Sequence, residues 1–248
     1  MKSVLITGAS SGIGYATAKK AASMGWKVIA CGRNEERLRK LSLEHFAIEC
    51  LAFDLTDKDA CTKHLNDLNV DALILNAGTC EYIDVNHFTS APFKTVFDVN
   101  FFSAVHVIES ILPNLGHDSQ IIIVDSLARL LPFTKSQAYG ASKAALHYLA
   151  KSLEVDLKES GIQVKTVSPG FVKTPLTDRN TFDMPMMITA EEAGRLMVGV
   201  LEGKSNNYYF PLIFSLLMRS LSFLPDSTKS WLSIKMKNST INDNKTVF

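Results

Sequence analysis

The segment Thr7-Gly8-Ala9-Ser10-Ser11-Gly12-Ile13-Gly14 follows the strand-like run Val4-Leu5-Ile6 and leads into a helical pattern. A strand, a glycine turn and a helix start in that order form the opening of a βαβ unit, which restricts the folds available to the chain. Glycines let the backbone approach a ligand closely. The helix start offers unpaired N–H groups and a partial positive charge, a combination suited to a pyrophosphate. The spacing is G-x-x-x-G-x-G, not the G-x-G-x-x-G of the dinucleotide fingerprint. Thr7, Ser10 and Ser11 add hydroxyls that can reach phosphate or pin the turn. A glycine turn alone fits any tight βα connection, so its meaning depends on the rest of the chain.

The rest of the chain continues the alternation. Short apolar runs at residues 4–7, 27–31, 51–53, 72–75, 120–124 and 163–167 read as buried strands. Helical patterns at 14–24, 35–44, 57–68, 93–112 and 139–159 separate them. This predicts a single α/β domain, a doubly wound parallel sheet with helices on both faces. Residues 1–210 form the expected catalytic domain, 211–236 an apolar helical extension of it, and 237–248 a disordered, Lys- and Asn-containing tail. Within the extension, 212–224 is rich in Leu and Phe, with Ser215, Arg219 and Ser222 as a narrow polar stripe ended by Pro225. Such an apolar face has to be covered. Packing over a substrate entrance or at a subunit interface is the first expectation, and a membrane surface the second. A helix of about 20 Å is too short to span a bilayer.

Bulk properties narrow the classes further. With 248 residues, 46% hydrophobic and 21% charged, the chain has an ordinary globular composition and length for a substantial core. A net charge of +1 leaves no electrostatic footprint for nucleic acid. The four cysteines include no C-x-x-C and form no zinc-like spacing with the six histidines, so reduced thiols and no metal are expected. The first apolar run is interrupted too soon for a secretory segment, and no stretch approaches the roughly 18 apolar residues of a membrane span. A cytoplasmic location is the default expectation.

Further along, Asn76-Ala77-Gly78 follows the fourth strand pattern, Tyr139-Gly140-Ala141-Ser142-Lys143 carries a phenol and an ammonium at i and i+4, and Ser126 follows the fifth strand. Together with Thr7 to Gly14, Asn100 and Pro169-Gly170 with Thr174, these residues resemble the short-chain dehydrogenase/reductase family over about residues 3 to 175, in its compact branch of about 250 residues. The resemblance implies a Rossmann-type fold and reversible hydride transfer between a nicotinamide cofactor and a carbonyl or secondary alcohol. It implies that Asn100, Ser126, Tyr139 and Lys143 are catalytic. Gly8, Ser10, Ser11, Gly12, Ile13 and Gly14 would surround the pyrophosphate, and Asn76, Ala77 and Gly78 would support the turn and the adenine. Pro169, Gly170, Val172 and Thr174 would meet the nicotinamide, with Tyr139 and Lys143 also touching the cofactor. Asp54, with Leu55, matches the adenine contact, although Asp54 equally suits a cap for a helix starting near Thr56.

The second strand bears on the choice of cofactor. NAD enzymes commonly end it with a carboxylate for the ribose 2′-OH, whereas an arginine suits a 2′-phosphate. Here it ends Ala30-Cys31-Gly32-Arg33-Asn34, with Gly in the carboxylate position, which favours NADP(H) over NAD(H).

Reducing a carbonyl leaves an alkoxide that needs a proton. A free tyrosine, with a pKa near ~10, holds its proton too tightly to alternate near neutrality. Lys143, one turn away, is expected to lower that value and, by the resemblance, to hold the nicotinamide ribose. Ser126 would polarise the substrate oxygen, and Asn100 would hold a water that resupplies protons to Lys143. Asp125 stands where the family usually has serine, and His147 has no partner visible in the sequence and reads as structural. The segments expected to line the substrate pocket, 80–83, 127–133, Phe171-Val172 and 176–188, are largely apolar, with Met184, Met186 and Met187 as an adaptable lid. An apolar aldehyde or ketone is the expected substrate, and a homodimer or homotetramer the expected assembly. A non-catalytic NADP(H)-binding sensor on the same fold is the alternative, and a nucleotide-retaining lyase or epimerase a more distant one.

Overall fold

The structure, a computed structural model, describes residues 1–180 and 183–243, with side chains described as far as Lys237. Seven parallel strands form one sheet in the order β3-β2-β1-β4-β5-β6-β7. These are β1 (Ser3–Thr7), β2 (Lys27–Gly32), β3 (Ile48–Ala52), β4 (Ala72–Leu75), β5 (Gln120–Val124), β6 (Gln163–Pro169) and β7 (Asn207–Phe210). The central strands are apolar on both faces, as a sheet covered on both sides requires: Val4, Leu5, Ile6, Leu73, Ile74, Ile121, Ile122 and Ile123 are all fully buried.

Helices α1 (Gly12–Ser23), α2 (Glu35–Glu44) and α7 (Ala190–Glu202) cover one face, burying Ala18, Ala21, Leu38, Leu41 and Met197 against the sheet. On the other face lie α3 (Lys58–Leu65), α5 (Ser103–Ile111) and α6 (Gln137–Asp156), which contribute Cys61, Leu65, Val107, Ile111, Leu146 and Ala150 to a second core. The chain winds outward from β1 through β2 to β3, returns to β4, then winds the other way to β7. The direction reverses between β1 and β4, and the crevice beyond the strand ends at such a switch point is where α/β sheets bind ligands.

Several elements depart from the sequence expectation. The helix expected over 93–112 is α4 (Ala91–Phe97), a π-helical turn (Asp98–Phe102) and then α5. A π turn carries one residue more per hydrogen-bonded ring, and here it contains Asn100. The continuous helical run Ala91–Asn114 is long and apolar enough to cross a bilayer, contrary to expectation. Its residues Val107, Ile108 and Ile111 nevertheless lie in the core beside α3, the position of a helix inside a globular domain. Helix α7 was not anticipated, although Thr189-Ala190-Glu191-Glu192 is a capping-box sequence and the Thr189 hydroxyl accepts from the Glu192 N–H at 3.1 Å. It packs directly on α1, because a Cβ on Gly194 would lie 2.7 Å from the Ala16 backbone.

The C-terminal residues form α8 (Leu212–Ser222) and α9 (Asp226–Asp243). The expected tail over 237–248 overlaps α9 as far as Asp243, and 244–248 lie outside the described residues. Pro225 ends the turn before α9, and Asp226 pairs with Lys229 in its first turn at 2.6 Å. The polar stripe of α8 is also corrected. Ser215 is buried beside Phe214 and Met218, while Leu212, Ile213, Leu216 and Leu217 are exposed. The inward contact wins because Phe214 and Met218 fill a small core with Leu127 and Leu131, and the Ser215 hydroxyl is satisfied by the Leu212 carbonyl at 2.8 Å.

Candidate active site

The glycine turn is held in a shape that only glycine permits. Gly8 and Gly12 have φ of +68° and +57°, in the left-handed region. A Cβ on Gly14 would lie 2.4 Å from the Gly8 carbonyl oxygen and 2.6 Å from Asn76 Nδ2. Thr7 pins the turn to the strand beside it, its Oγ1 accepting from the N–H groups of Asn76 at 2.9 Å and Ala77 at 3.0 Å. At the start of α1, Ser11 occupies the N-cap without a side-chain cap bond, and no acid sits in the first turn. The helix therefore presents its positive end to the crevice, and the glycines leave space there that side chains would fill. These residues fit a dinucleotide pyrophosphate.

A groove of about 530 Å³ runs from this turn across the strand ends. It brings together Gly8, Ser10, Ser11, Gly12, Ile13, Arg33, Asn34, Asp54, Leu55, Asn76, Ala77, Gly78, Ser126, Tyr139, Lys143, Pro169, Gly170, Val172 and Thr174. Two expected residues, Gly14 and Asn100, stand behind the wall. Sequence reasoning missed Val99, Ser103, Asp125 and Pro175 among the lining residues, whereas Leu176 and Thr177 fall in the segment expected to line the substrate pocket. Val99 and Ser103 flank Asn100 around the π turn, and the Ser103 hydroxyl donates to the Val99 carbonyl at 2.6 Å.

At one rim, the Arg33 guanidinium lies 3.8 Å from the Asp54 carboxylate, with both side chains exposed. Asp54 Oδ1 also accepts from the Thr56 N–H at 2.9 Å, but the cap of α3 is Asp57, which accepts from Ala60. Asn34 caps α2 through Arg37 N–H. A Cβ on Gly32 would sit 3.3 Å from Ser10 Oγ, so the Ser10 side chain already crowds the place where a carboxylate would stand.

At the other end, β5 delivers Ser126, and α6 delivers Tyr139 and Lys143 on one face. The Lys143 ammonium is buried, donates to the Val124 carbonyl at 2.9 Å, and lies 5.9 Å from the centre of the Tyr139 ring. Asn100 is fully engaged. Its Oδ1 accepts from Thr79 N–H at 2.7 Å, and its Nδ2 donates to the Thr79 carbonyl at 3.0 Å and to Ser142 Oγ at 2.9 Å. It thus ties the loop after β4 to α6, and a Cβ on Gly78 between them would be 3.4 Å from Asn100 Oδ1 and 3.5 Å from Lys143 Nζ.

Burial controls the electrostatics. It pushes the Tyr139 phenol up to about 12, with Ser126 pulling it down and the nearby Cys80 and Asp125 adding to the rise. Burial also draws Lys143 down to about 8, opposed by the Asp125 charge. The sequence argument expected Tyr139 to fall. In the structure desolvation is the largest influence on the phenol, and Lys143 is lowered by its own desolvation. With its pKa raised, the Tyr139 phenol keeps its proton near neutral pH.

A third apolar cluster packs beside the segments expected to line the substrate pocket. Leu127, Leu130, Leu131, Phe133 and Phe171 pack with Phe214 and Met218 of α8, the rings of Phe171 and Phe214 standing 5.4 Å apart. A Cβ on Gly170 would lie 2.7 Å from Phe214, so α8 reaches the loop expected to meet the nicotinamide. The lid segment is held at one end by the Ile188 N–H to Phe171 carbonyl bond and across the groove by Tyr82 bonding Asn180. Of that lid, Thr181 and Phe182 lie outside the described residues, and Met186 and Met187 are exposed.

Comparisons with known proteins agree with this geometry. A family model described as short chain dehydrogenase matches residues 2–184. An uncharacterized oxidoreductase of Staphylococcus epidermidis is 31% identical over 213 residues, covering 83% of this chain and 93% of that protein. Serine 3-dehydrogenase of Rhizobium radiobacter is 36% identical over 184 residues, covering 70% and 73% respectively. A serine dehydrogenase solved in its closed form with NADP+ superposes with a TM-score of 0.76 at 24% identity, over 84% of this chain and 94% of that one, a likeness of fold. With glycine turn, switch-point groove and matched family model in agreement, the chain belongs to the short-chain dehydrogenase family and is an oxidoreductase of that type.

Proposed function

We propose that the protein uses NADP(H) to interconvert an apolar carbonyl compound and the corresponding alcohol. The observation that carries this reading is a single groove lined at one end by the glycine turn and at the other by Ser126, Tyr139 and Lys143. Bound NADPH supplies the hydride equivalent for the carbonyl carbon. Tyr139, protonated at neutral pH, gives its phenolic proton to the carbonyl oxygen. Ser126 donates to that same oxygen and holds it in line with the phenol. Lys143 stabilises the resulting phenolate and holds the cofactor ribose. Asn100 keeps the loop after β4 against α6, so that Lys143 stays beside Gly78. Val172, Pro175 and Leu176 give the groove an apolar side, which favours a hydrophobic substrate. A sensor would need no such donor set, which is the reason to prefer an enzyme. Consumption of NADPH with a panel of aliphatic and aromatic aldehydes and ketones tests the reading, and no turnover on any of them counts against it.

Arg33 supports NADPH over NADH. Its guanidinium is exposed at the rim in a loose pair with Asp54, and Gly32 puts no carboxylate at the end of β2 to repel a 2′-phosphate. A charge-assisted pair of this kind corresponds to about tenfold to a hundredfold in affinity. Arg33→Ala should weaken NADPH binding by that factor and leave NADH nearly unchanged. Fluorescence titration of both cofactors is the check, and equal wild-type affinities, or an unchanged preference in Arg33→Ala, would defeat the assignment.

The exposed apolar face of α8 supports a homo-oligomer. Leu216→Glu with Leu217→Glu should reduce the particle size seen by size-exclusion with light scattering. A wild-type monomer that floats with liposomes would favour the membrane surface instead.

A further inference from the structure

Asp125 stands between β5 and Ser126, at a position where the family pattern has serine. Its side chain is fully buried, and one oxygen, Oδ2, lies 2.9 Å from Arg129 Nε and 2.7 Å from His147 Nδ1. Those partners come from different elements. Arg129 belongs to the helical turn Leu127–Arg129 that begins at Ser126, and His147 lies one turn beyond Lys143 on α6. Both are themselves mostly buried, with 11% and 22% of their side chains exposed. A single carboxylate oxygen therefore joins the segment carrying Ser126 to the helix carrying Tyr139 and Lys143. The second oxygen, Oδ1, is buried without a hydrogen-bond partner among the described residues.

A carboxylate is costly to bury unless its charge is compensated, and the compensation here is arranged around the proposed reaction centre. Arg129 and His147 face it directly, and Lys143 and Tyr139 feel its charge across the groove wall. Cys80 faces Lys143 and Tyr139 from the loop after β4, and Glu154, paired with Lys151, faces His147 from further along α6. Lys143 itself donates to the carbonyl of Val124, the residue before Asp125, so movement of this strand end moves the lysine's partner as well.

We propose that Asp125 is a positioning residue: through Arg129 and His147 it fixes Ser126 against α6, and it holds a negative charge at the strand end to which Lys143 donates. The proposal rests on the function proposed above. The sign of its effect follows from the surroundings. Burial favours neutral Lys143, and the Asp125 charge favours the ammonium, so removing that charge makes Lys143 lose its proton at lower pH.

The test is the pH profile of kcat, together with the pH dependence of NADPH affinity, which needs no substrate. In Asp125→Asn the alkaline limb of both should move down by about one pH unit, with kcat at its optimum falling about tenfold. Asp125→Glu retains the charge and should keep the wild-type limb even where kcat falls. Arg129→Gln removes the countercharge and should move the limb upward. An unmoved limb in Asp125→Asn, or a loss equal at every pH, overturns the proposal and leaves Asp125 a structural clamp. If Asp125→Asn does not fold, Arg129→Gln decides alone: an upward limb supports the proposal and an unmoved one overturns it. A wild type that neither binds NADPH nor reduces a carbonyl defeats the proposed function. Normal wild-type turnover with unmoved limbs in the variants defeats only the role of Asp125.

Discussion

Tyr139→Phe is expected to lower kcat by about a thousandfold while leaving NADPH affinity within about twofold of wild type, the range for loss of a general acid that does not hold the cofactor. The substitution removes one oxygen from a ring already set among protein atoms, so the fold has no reason to change. The phenol stands with its proton bound, pushed up to about 12 chiefly by burial, and Lys143 is the nearby cation able to stabilise its conjugate base. Lys143→Ala is the useful contrast, because it should reduce both turnover and NADPH affinity. Steady-state kinetics with cofactor titration separates the two. A Tyr139→Phe protein with near-normal kcat would remove Tyr139 as the acid.

Gly14→Ala should be strongly damaging. Its Cβ would enter contact at 2.4 Å with a backbone oxygen and 2.6 Å with the Asn76 amide, which is itself tied to the Thr7 carbonyl at 3.1 Å. Accommodating it means displacing Gly8 or Asn76, both of which line the groove. Overpacking of this sort costs about 2–3 kcal/mol, which at this chain length lowers Tm by about 4–12 °C. NADPH affinity should fall about a hundredfold, because the displaced backbone is the part proposed to cradle the pyrophosphate. Gly199→Ala is the control. It lies inside α7 with nothing near its Cβ and should be neutral or stabilising. Thermal melts and cofactor titration of the pair give the answer, and a Gly14→Ala protein that binds NADPH normally would show that the turn tolerates a side chain.

What was legible in the sequence was local. The glycine turn could be read because φ above zero and close approach leave few residue choices. Helix α2 was placed at its observed bounds, 35–44, where Asn34 supplies a cap at its start. Features that depend on distant partners were not legible. The π turn at Asn100 is held by Thr79, 21 residues earlier, and Asp125 meets His147, 22 residues later. His147 therefore looked structural, although it is tied to the residue preceding Ser126. The orientation of α8 failed for a related reason: periodicity identifies an apolar face, but only the pocket of Leu127 and Leu131 decides which side turns inward. The sign of the Tyr139 shift needed burial, which a spacing argument does not supply. Helix α7 is a different case, since its Thr189–Glu192 capping box was present in the sequence and passed over.

The central claim is that this groove carries a hydride from NADPH to a carbonyl carbon, with Tyr139 supplying the proton. Incubating the enzyme with NADPH deuterated at the nicotinamide C4 position and a reactive apolar ketone, followed by mass spectrometry of the product, tests it most directly. The account predicts an alcohol carrying one carbon-bound deuterium when the label is on one face of the ring, none when it is on the other, and product formed about a thousandfold more slowly by Tyr139→Phe. Alcohol formed without label from either deuterated cofactor, or labelled alcohol formed at the wild-type rate by Tyr139→Phe, would contradict it.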